Sequence, residues 1–341
     1  MKAAVVTRYG GPDVLEFRSV PIPTLKPDEI LVKVRAIGLN FADIFGRFGV
    51  YPGTPNPPFI PGLEFAGEVS AVGDRVTLFR QGDRAMGYSR TGSHAEYVAV
   101  NEKSVARMPG AMTYPEGASF IVTTLTAYHG IIRLANLRAG ERLLIHAAAG
   151  GVGLAAVQIG RHLQAEVFAT AGSDEKVDLA IRYGAHHGMN YRTIDFAAEM
   201  LRLSGDYGAD VVMDSVGGDV FRKSWKILAQ MGRYVLFGIS AVAGKRGLNR
   251  LKAARVYSAM LPIFPPRLMQ SNKGLFGFNL GTLTAKDTYL REAASDILRL
   301  YEIGAVKPVI GSVFPFAKIV EAHRFLQTRR SVGKVVVEVD A

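Results

Sequence analysis

Residues 144–153 read LIHAAAGGVG, an apolar run that ends in a burst of glycine. Aligned on Gly153, the turn puts Ala148, Gly150 and Gly153 where a dinucleotide-binding fingerprint carries three glycines. Gly150 lets the backbone approach a pyrophosphate, Gly153 lets helix and strand pack closely, and free N–H groups at the helix start attract the anion. With its first glycine replaced by Ala the motif is weak alone. Its setting carries it: a strand precedes, a helix follows, and a second strand ends about 20 residues later. Ala149, Gly150, Gly151, Val152 and Gly153 are therefore expected to hold the phosphates of a nucleotide.

The end of that second strand, FATAGSDEKVDL at 168–179, tells which nicotinamide cofactor fits. A free ribose usually meets an acid here, whereas a 2′-phosphate needs room and positive charge. The place is held by Ala171, Gly172 and Ser173, with Lys176 one helical turn on. Asp174 and Glu175 could reach a ribose, but both read as acids of a helix's first turn, which leaves Ser173 and Lys176 for the phosphate. Tyr191 and Arg192 join them from the next strand end, and the set favours NADPH over NADH.

The elements that must position these residues follow from periodicity. From 1 to about 110 short alternating strands are broken by Gly and Pro, which argues a compact β domain. Helical spacing over 117–136 leads into the strand, glycine turn, helix and strand just described. Helices at 174–183, 195–203 and 219–230 then alternate with strands at 186–191, 209–217 and 232–238, which makes a doubly wound parallel sheet because parallel strands need crossovers. From about 285 a helix, a strand near VIGSVFPF, a helix at 318–329 and a strand at GKVVVEV are too few for a core of their own. They are expected to pack back onto the β domain, which gives limits of 1–121, 122–284 and 285–341, the middle segment being inserted.

Composition narrows the chemistry. The chain has 341 residues, 48% hydrophobic and 21% charged, and no apolar run long enough for a membrane span. The N-terminus reads as a strand and a turn rather than a secretory signal, so a cytoplasmic location is expected. There is no cysteine, hence no disulfide, thiol nucleophile or thiolate metal ligand, and the adjacent His186 and His187 read as loop rather than metal site. The net charge of +11 is spread out, with no nucleic-acid-binding pattern beside it. The exception is 241–273, with seven basic residues and no acid, where Leu248, Leu251, Val256 and Tyr257 could make a basic amphipathic helix touching anionic membrane, or a solvated face beside a subunit contact.

Taken in order, YGGPDVLEF, AIGLNFADIFGRFGVYP, PGLEFAGEV, GDRAMGY, LTAYHG, LIHAAAGGVGLAAVQIG, GMNYR and VGKVVVEV resemble the medium-chain dehydrogenase/reductase family over essentially the whole chain. The likeness is to its zinc-independent quinone oxidoreductase branch, which includes zeta-crystallin. GLNFADIFGRFGVY and GFNLG, with the basic segment, look closest to the vesicle amine transport protein-like group. The resemblance implies an α/β fold, a GroES-like β domain in two segments around an inserted Rossmann domain, and a homodimer. Gly238, ending the strand YVLFG, sits at a carboxyl strand end on the cofactor side. The resemblance implies that Thr126 lies beside the nicotinamide, and that GFNLGTL is the last nucleotide-domain strand, whose Phe278 and Asn279 backbone meets the carboxamide.

Zinc-containing relatives place a Cys at the position of Asn40, a His at that of Leu63 and another Cys near Val122, so no metal is expected. Without a metal, the acceptor of a hydride from NADPH must already be electrophilic, as quinones and α,β-unsaturated carbonyls are. Asn40 is then expected to turn its amide to the reacting centre and donate to a quinone oxygen. Tyr51 resembles a pocket tyrosine able to donate a hydrogen bond or proton, while Phe45 departs from the tyrosine that close relatives often carry. The alternative implied by the vesicle group is a membrane-surface or partner-binding protein that keeps NADPH as a structural ligand.

Overall fold

The computed structural model describes residues 1–244, 247, 250–260, 265–283 and 287–340. The first third of the chain gives β1 (Lys2–Val6), β2 (Leu15–Ser19), β3 (Glu29–Leu39), α1 (Phe41–Arg47), β4 (Glu64–Val72), β5 (Arg84–Tyr88), β6 (Tyr97–Asn101), β7 (Val105–Arg107) and α2 (Tyr114–Gly117). The middle gives α3 (Ile121–Tyr128), β8 (Arg142–Ile145), α4 (Gly151–His162), β9 (Glu166–Ala171), α5 (Asp174–Arg182), β10 (His187–Asn190), α6 (Phe196–Ser204), β11 (Ala209–Asp214), α7 (Asp219–Lys226) and β12 (Leu228–Leu236). There follow α8 (Arg250–Met260), α9 (Pro265–Ser271), β13 (Gly274–Gly277), α10 (Asp287–Glu302), β14 (Ile310–Pro315), α11 (Ile319–Gln327) and β15 (Lys334–Glu338).

One sheet runs β14-β15-β3-β4-β5-β7, with β6 also on β3, and is antiparallel except between β14 and β15. Its strands alternate, as a sheet with one covered face requires: along β3 the side chains of Ile30, Val32 and Val34 are buried and their neighbours are not. The register pairs Val335 with Leu39 and Val336 with Gly38, which sets Lys334 beside the corner between β3 and α1. Strands from both ends of the chain thus build one β domain, the GroES-like part of the fold.

The second sheet, β10-β9-β8-β11-β12-β13, is parallel throughout. Helices cover both faces, so strands such as β11 are buried at every residue rather than at alternate ones. Its order reverses at β8, the first strand in sequence, whose neighbours are β9 and β11. In a doubly wound sheet that reversal opens a crevice at the carboxyl ends of the strands. The apolar core is continuous from this sheet into the β domain, joining Ile145, Ala148 and Met213 with Ala36, Ala66, Met86 and Val336.

Several boundaries differ from the sequence reading. The helical stretch 117–136 is α2, then α3 continued by a π-helical turn at His129–Leu134. The helix expected over 219–230 stops at Lys226, because Leu228 and Ala229 are buried as the start of β12. The strand expected in GFNLGTL lies earlier, at Gly274–Gly277, paired with Arg233–Leu236 of β12, so Phe278 and Asn279 come after its carboxyl end. Helix α10 packs through Leu290, Ala293 and Ile297 into the core shared by the two sheets, beside Ile121 and Leu125 of α3. Residues 284–286, where the sequence reading put that boundary, lie outside the described residues. No helix among the described residues is long and apolar enough to cross a membrane.

Candidate active site

The glycine turn joins β8 to α4. Gly150 is the extended residue before the helix, at φ −82° and ψ 171°, and Gly151, Val152 and Gly153 form its first turn. Their N–H groups have no carbonyl one turn back within the helix and point out of its end. A Cβ on Gly153 would fall 2.5 Å from the Ala147 carbonyl oxygen and 2.6 Å from Ala148 Cα, so only glycine lets α4 start this close to β8. Ala148, at the position of the fingerprint's first glycine, is fully buried and donates its N–H to the Thr170 carbonyl at 3.0 Å. The positive φ falls one residue earlier, at Ala147, +53°. The turn thus offers an anion three free N–H groups and no side chain larger than valine, which fits a dinucleotide's pyrophosphate.

At the carboxyl end of β9, Ser173 precedes α5 and Gly172 leaves a space into which Tyr191 projects. A Cβ on Gly172 would stand 2.6 Å from Tyr191 Oη and 3.5 Å from Arg192 Nε. Burial first, and the neighbouring Arg192 second, hold the Lys176 ammonium below the usual lysine value. Lys176 Nζ donates to the Arg329 carbonyl at 2.7 Å, and neither it nor Arg192 has an acidic partner among the described residues. Asp174 accepts from Asn190 at 2.9 Å, and Glu175 hydrogen-bonds with Ser173. Two cations that repel each other and lack an acid are a fitting seat for a 2′-phosphate.

The opposite end of the crevice gathers the remaining residues. Gly238 follows β12, where a Cβ would press to 3.0 Å from the Ser215 carbonyl oxygen. Phe278 meets the ring of His129 edge to face, with centroids 4.7 Å apart. Asn279 Oδ1 accepts from Gly281 N–H and from Tyr51 Oη, each at 2.9 Å. A side chain of the β domain thereby touches the end of the parallel sheet. Burial, followed by the charge of Asp43, raises the Tyr51 phenol above its usual value, so it stays protonated at neutral pH. Thr126 is turned inward instead, its Oγ1 donating to the Val122 carbonyl at 2.6 Å. Phe45 packs edge to face on Phe41.

Asn40 does not present the amide expected of it. Its Nδ2 donates to the Gly38 carbonyl and to Glu64 Oε2, both at 3.1 Å, and its Oδ1 accepts from Lys334 Nζ at 2.6 Å. The reason is a pair that the sequence reading passed over. Lys334 Nζ lies 2.5 Å from Glu64 Oε2, with side chains 4% and 0% exposed, so their charges are met within the protein. Glu64 Oε1 accepts the Val122 N–H at 2.8 Å and so caps the start of α3. The signal in the sequence was a charge inside each of two otherwise apolar strand starts, EFAGEV and GKVVVEV. Beside this network, Asp43 is fully buried, with Oδ2 accepting the Asn40 N–H at 2.7 Å and Oδ1 unpartnered. Burial raises its carboxyl to about 7.

An ammonium therefore already occupies the oxygens at Asn40 and Glu64, Leu63 is apolar, and Val122 contributes only its backbone. No three His, Asp or Glu side chains gather as metal ligands among the described residues. His187 lies on β10, bonded to Glu166 at 2.9 Å and stacked on Phe168. Of the basic segment 241–273, Lys245, Arg246 and Leu248 fall outside the described residues. In α8, Val256 is buried against Gly218, while Leu251 and Tyr257 are exposed on other sides of the helix, so the three do not form one apolar stripe.

Comparison with known proteins places these features in a lineage. Residues 26–110 match the alcohol dehydrogenase GroES-like domain, and residues 183–337 match the family described as zinc-binding dehydrogenase. The chain is 37% identical over 340 residues to the rat synaptic vesicle membrane protein VAT-1 homolog, covering 99% of this chain and 84% of that one. It is 32% identical to human quinone oxidoreductase, covering 99% and 97%. The structure of Escherichia coli quinone oxidoreductase complexed with NADPH superposes with a TM-score of 0.86 at 29% identity, covering 99% of this chain and all of that one.

Proposed function

The chain belongs to the medium-chain dehydrogenase/reductase family, among the quinone oxidoreductases and VAT-1 homologues, and from that premise we propose that it is an NADPH-dependent, zinc-independent oxidoreductase acting on a quinone or an α,β-unsaturated carbonyl. The observation that carries the reading is the contact between Tyr51 and Asn279. It supports the reading because it would bring a protonated phenol of the β domain to the nicotinamide, with Lys176 and Arg192, which have no acidic partner among the described residues, left for the other end of the cofactor.

In this reading Gly150, Gly151, Val152 and Gly153, with the Ala149 backbone, hold the pyrophosphate. Ser173, Lys176 and Tyr191, joined by Arg192, hold the 2′-phosphate. Thr126, Gly238, Phe278 and Asn279 shape the nicotinamide end. NADPH, when bound, supplies a hydride. Tyr51 turns its hydroxyl from Asn279 to the acceptor oxygen as negative charge grows there, which is where a positioned donor helps most. Asn40 positions α1 through Glu64 and Lys334 rather than donating itself. The domain limits at 121/122 and 284/285, a cytoplasmic location and a homodimer belong to the same proposal. The last is supported by the free edge of β13, which pairs only with β12 among the described residues.

The test is oxidation of NADPH and NADH with 1,4-benzoquinone, 9,10-phenanthrenequinone and an alkenal, with and without a chelator. Turnover is expected to favour NADPH and ignore the chelator, and Tyr51→Phe is expected to lower kcat roughly 10²-fold, the scale of a lost proton donor. Tight NADPH binding without turnover of any acceptor would refute the reductase reading. An unaffected Tyr51→Phe enzyme would refute the role of the phenol alone.

A further inference from the structure

The residue before Lys334 touches the glycine turn. Gly333 donates its N–H to the Ala149 carbonyl at 2.7 Å and pairs with Gly150 in an isolated parallel bridge. Its φ is +53°, and a Cβ there would fall 2.3 Å from the Val309 carbonyl oxygen, so only glycine fits this close to the strand. The Lys334 N–H is fixed by the same Val309 carbonyl at 2.7 Å. From there the side chain passes the turn, its Cδ 3.6 Å from where a Gly151 Cβ would be, and ends on Glu64 and Asn40 in the β domain. One residue thus has its backbone neighbour on the phosphate-binding turn and its ammonium on the residue that begins α1.

We propose that Lys334 is a positioning residue that transmits occupancy of the glycine turn to α1 and the Tyr51 side of the pocket. The inference rests on the cofactor reading above. A buried ion pair has few low-energy arrangements, because each charge has given up water for its partner and a small displacement leaves both unmet. An anion seated on Gly151–Gly153 fixes Ala149 and Gly150, and through the Gly333 bridge it fixes the root of Lys334. The Asn40 Oδ1 and the Glu64 carboxylate then stay with the ammonium, and the start of α1 with Asn40. Without an anion the same linkage lets turn and helix loosen together.

Hydrogen–deuterium exchange on the whole protein, with and without NADPH, reads this directly. In the unsubstituted protein NADPH is expected to slow exchange at 149–153 and also at 41–47, the latter by about fivefold or more, a range that local-opening equilibria readily span. In Lys334→Met the protection at 149–153 is retained and that at 41–47 is lost. The pair Glu64→Gln with Lys334→Met, which leaves no unpaired charge, gives the same pattern and keeps the test valid if the single variant does not fold. Protection at 41–47 that survives removal of Lys334 would overturn the proposal, as would its absence in the unsubstituted protein when 149–153 is protected. No protection at 149–153 in the unsubstituted protein would instead refute the cofactor reading, and this proposal with it.

Discussion

The glycine turn and the Lys334–Glu64 junction adjoin each other and handle charge in opposite ways. The turn is made of backbone N–H groups and small residues, and beyond it Lys176 and Arg192 stand without an acid. The junction is closed: the Lys334 ammonium, both Glu64 oxygens and the Asn40 amide are all bonded to one another or to the backbone. One region leaves its donors and cations without an acid among the described residues, whereas the other meets its charges within itself. A site that must both bind and stay folded separates these two tasks between neighbouring residues.

The comparison breaks most visibly at Glu64. Glu64→Gln leaves a buried ammonium without its counter-charge and should cost about 3–5 kcal/mol in urea unfolding, most of it regained when Lys334→Met is added. A single-variant cost below about 1 kcal/mol would mean that water reaches the pair and that the junction is not closed.

Asp43 sharpens the contrast, since beside the closed network its buried Oδ1 has no hydrogen-bond partner among the described residues. Its carboxyl is raised to about 7 by burial, against about 3.9 in an unfolded chain. Between those values the folded state holds a proton that the unfolded state has released. Stability should therefore fall as pH rises from about 4 to 7, by up to about 1.4 kcal/mol per unit, and level off above. Asp43→Asn should flatten that part of a pH series of unfolding curves, and an unchanged slope would assign the effect elsewhere.

The smallest effect belongs to the open region. Lys176→Ala and Arg192→Ala should each weaken NADPH roughly tenfold, about 1.4 kcal/mol, and leave NADH unchanged. Titration of both nucleotides at two salt concentrations checks this, and equal losses for NADH would remove these cations from the 2′-phosphate.

How much of this was legible depended on sequence separation. The glycine turn, the Gly172–Ser173 strand end and the order of strand and helix were readable because each is written within about 30 residues. β12 was misplaced because Ile227, Leu228 and Ala229 are apolar in a way that serves helix or strand equally; neighbouring β11 decides. Asn40 is legible as a site position but its partners within the protein are not, since its amide is engaged by residues 24 and 294 positions away. Local patterns do not encode such a contact. Only the presence of Glu64 and Lys334 in apolar strands hinted at it.

That separation also sets a timetable. Lys334 follows Glu64 by 270 residues, so at a synthesis rate of about 5–20 residues per second the carboxylate is made roughly 15–50 s before its ammonium. All six strands of the parallel sheet are complete by Gly277, long before the charge that joins it to the β domain exists. Each newly made molecule therefore passes through an interval in which every strand of the parallel sheet has been made and the ammonium of the ion pair beside it has not.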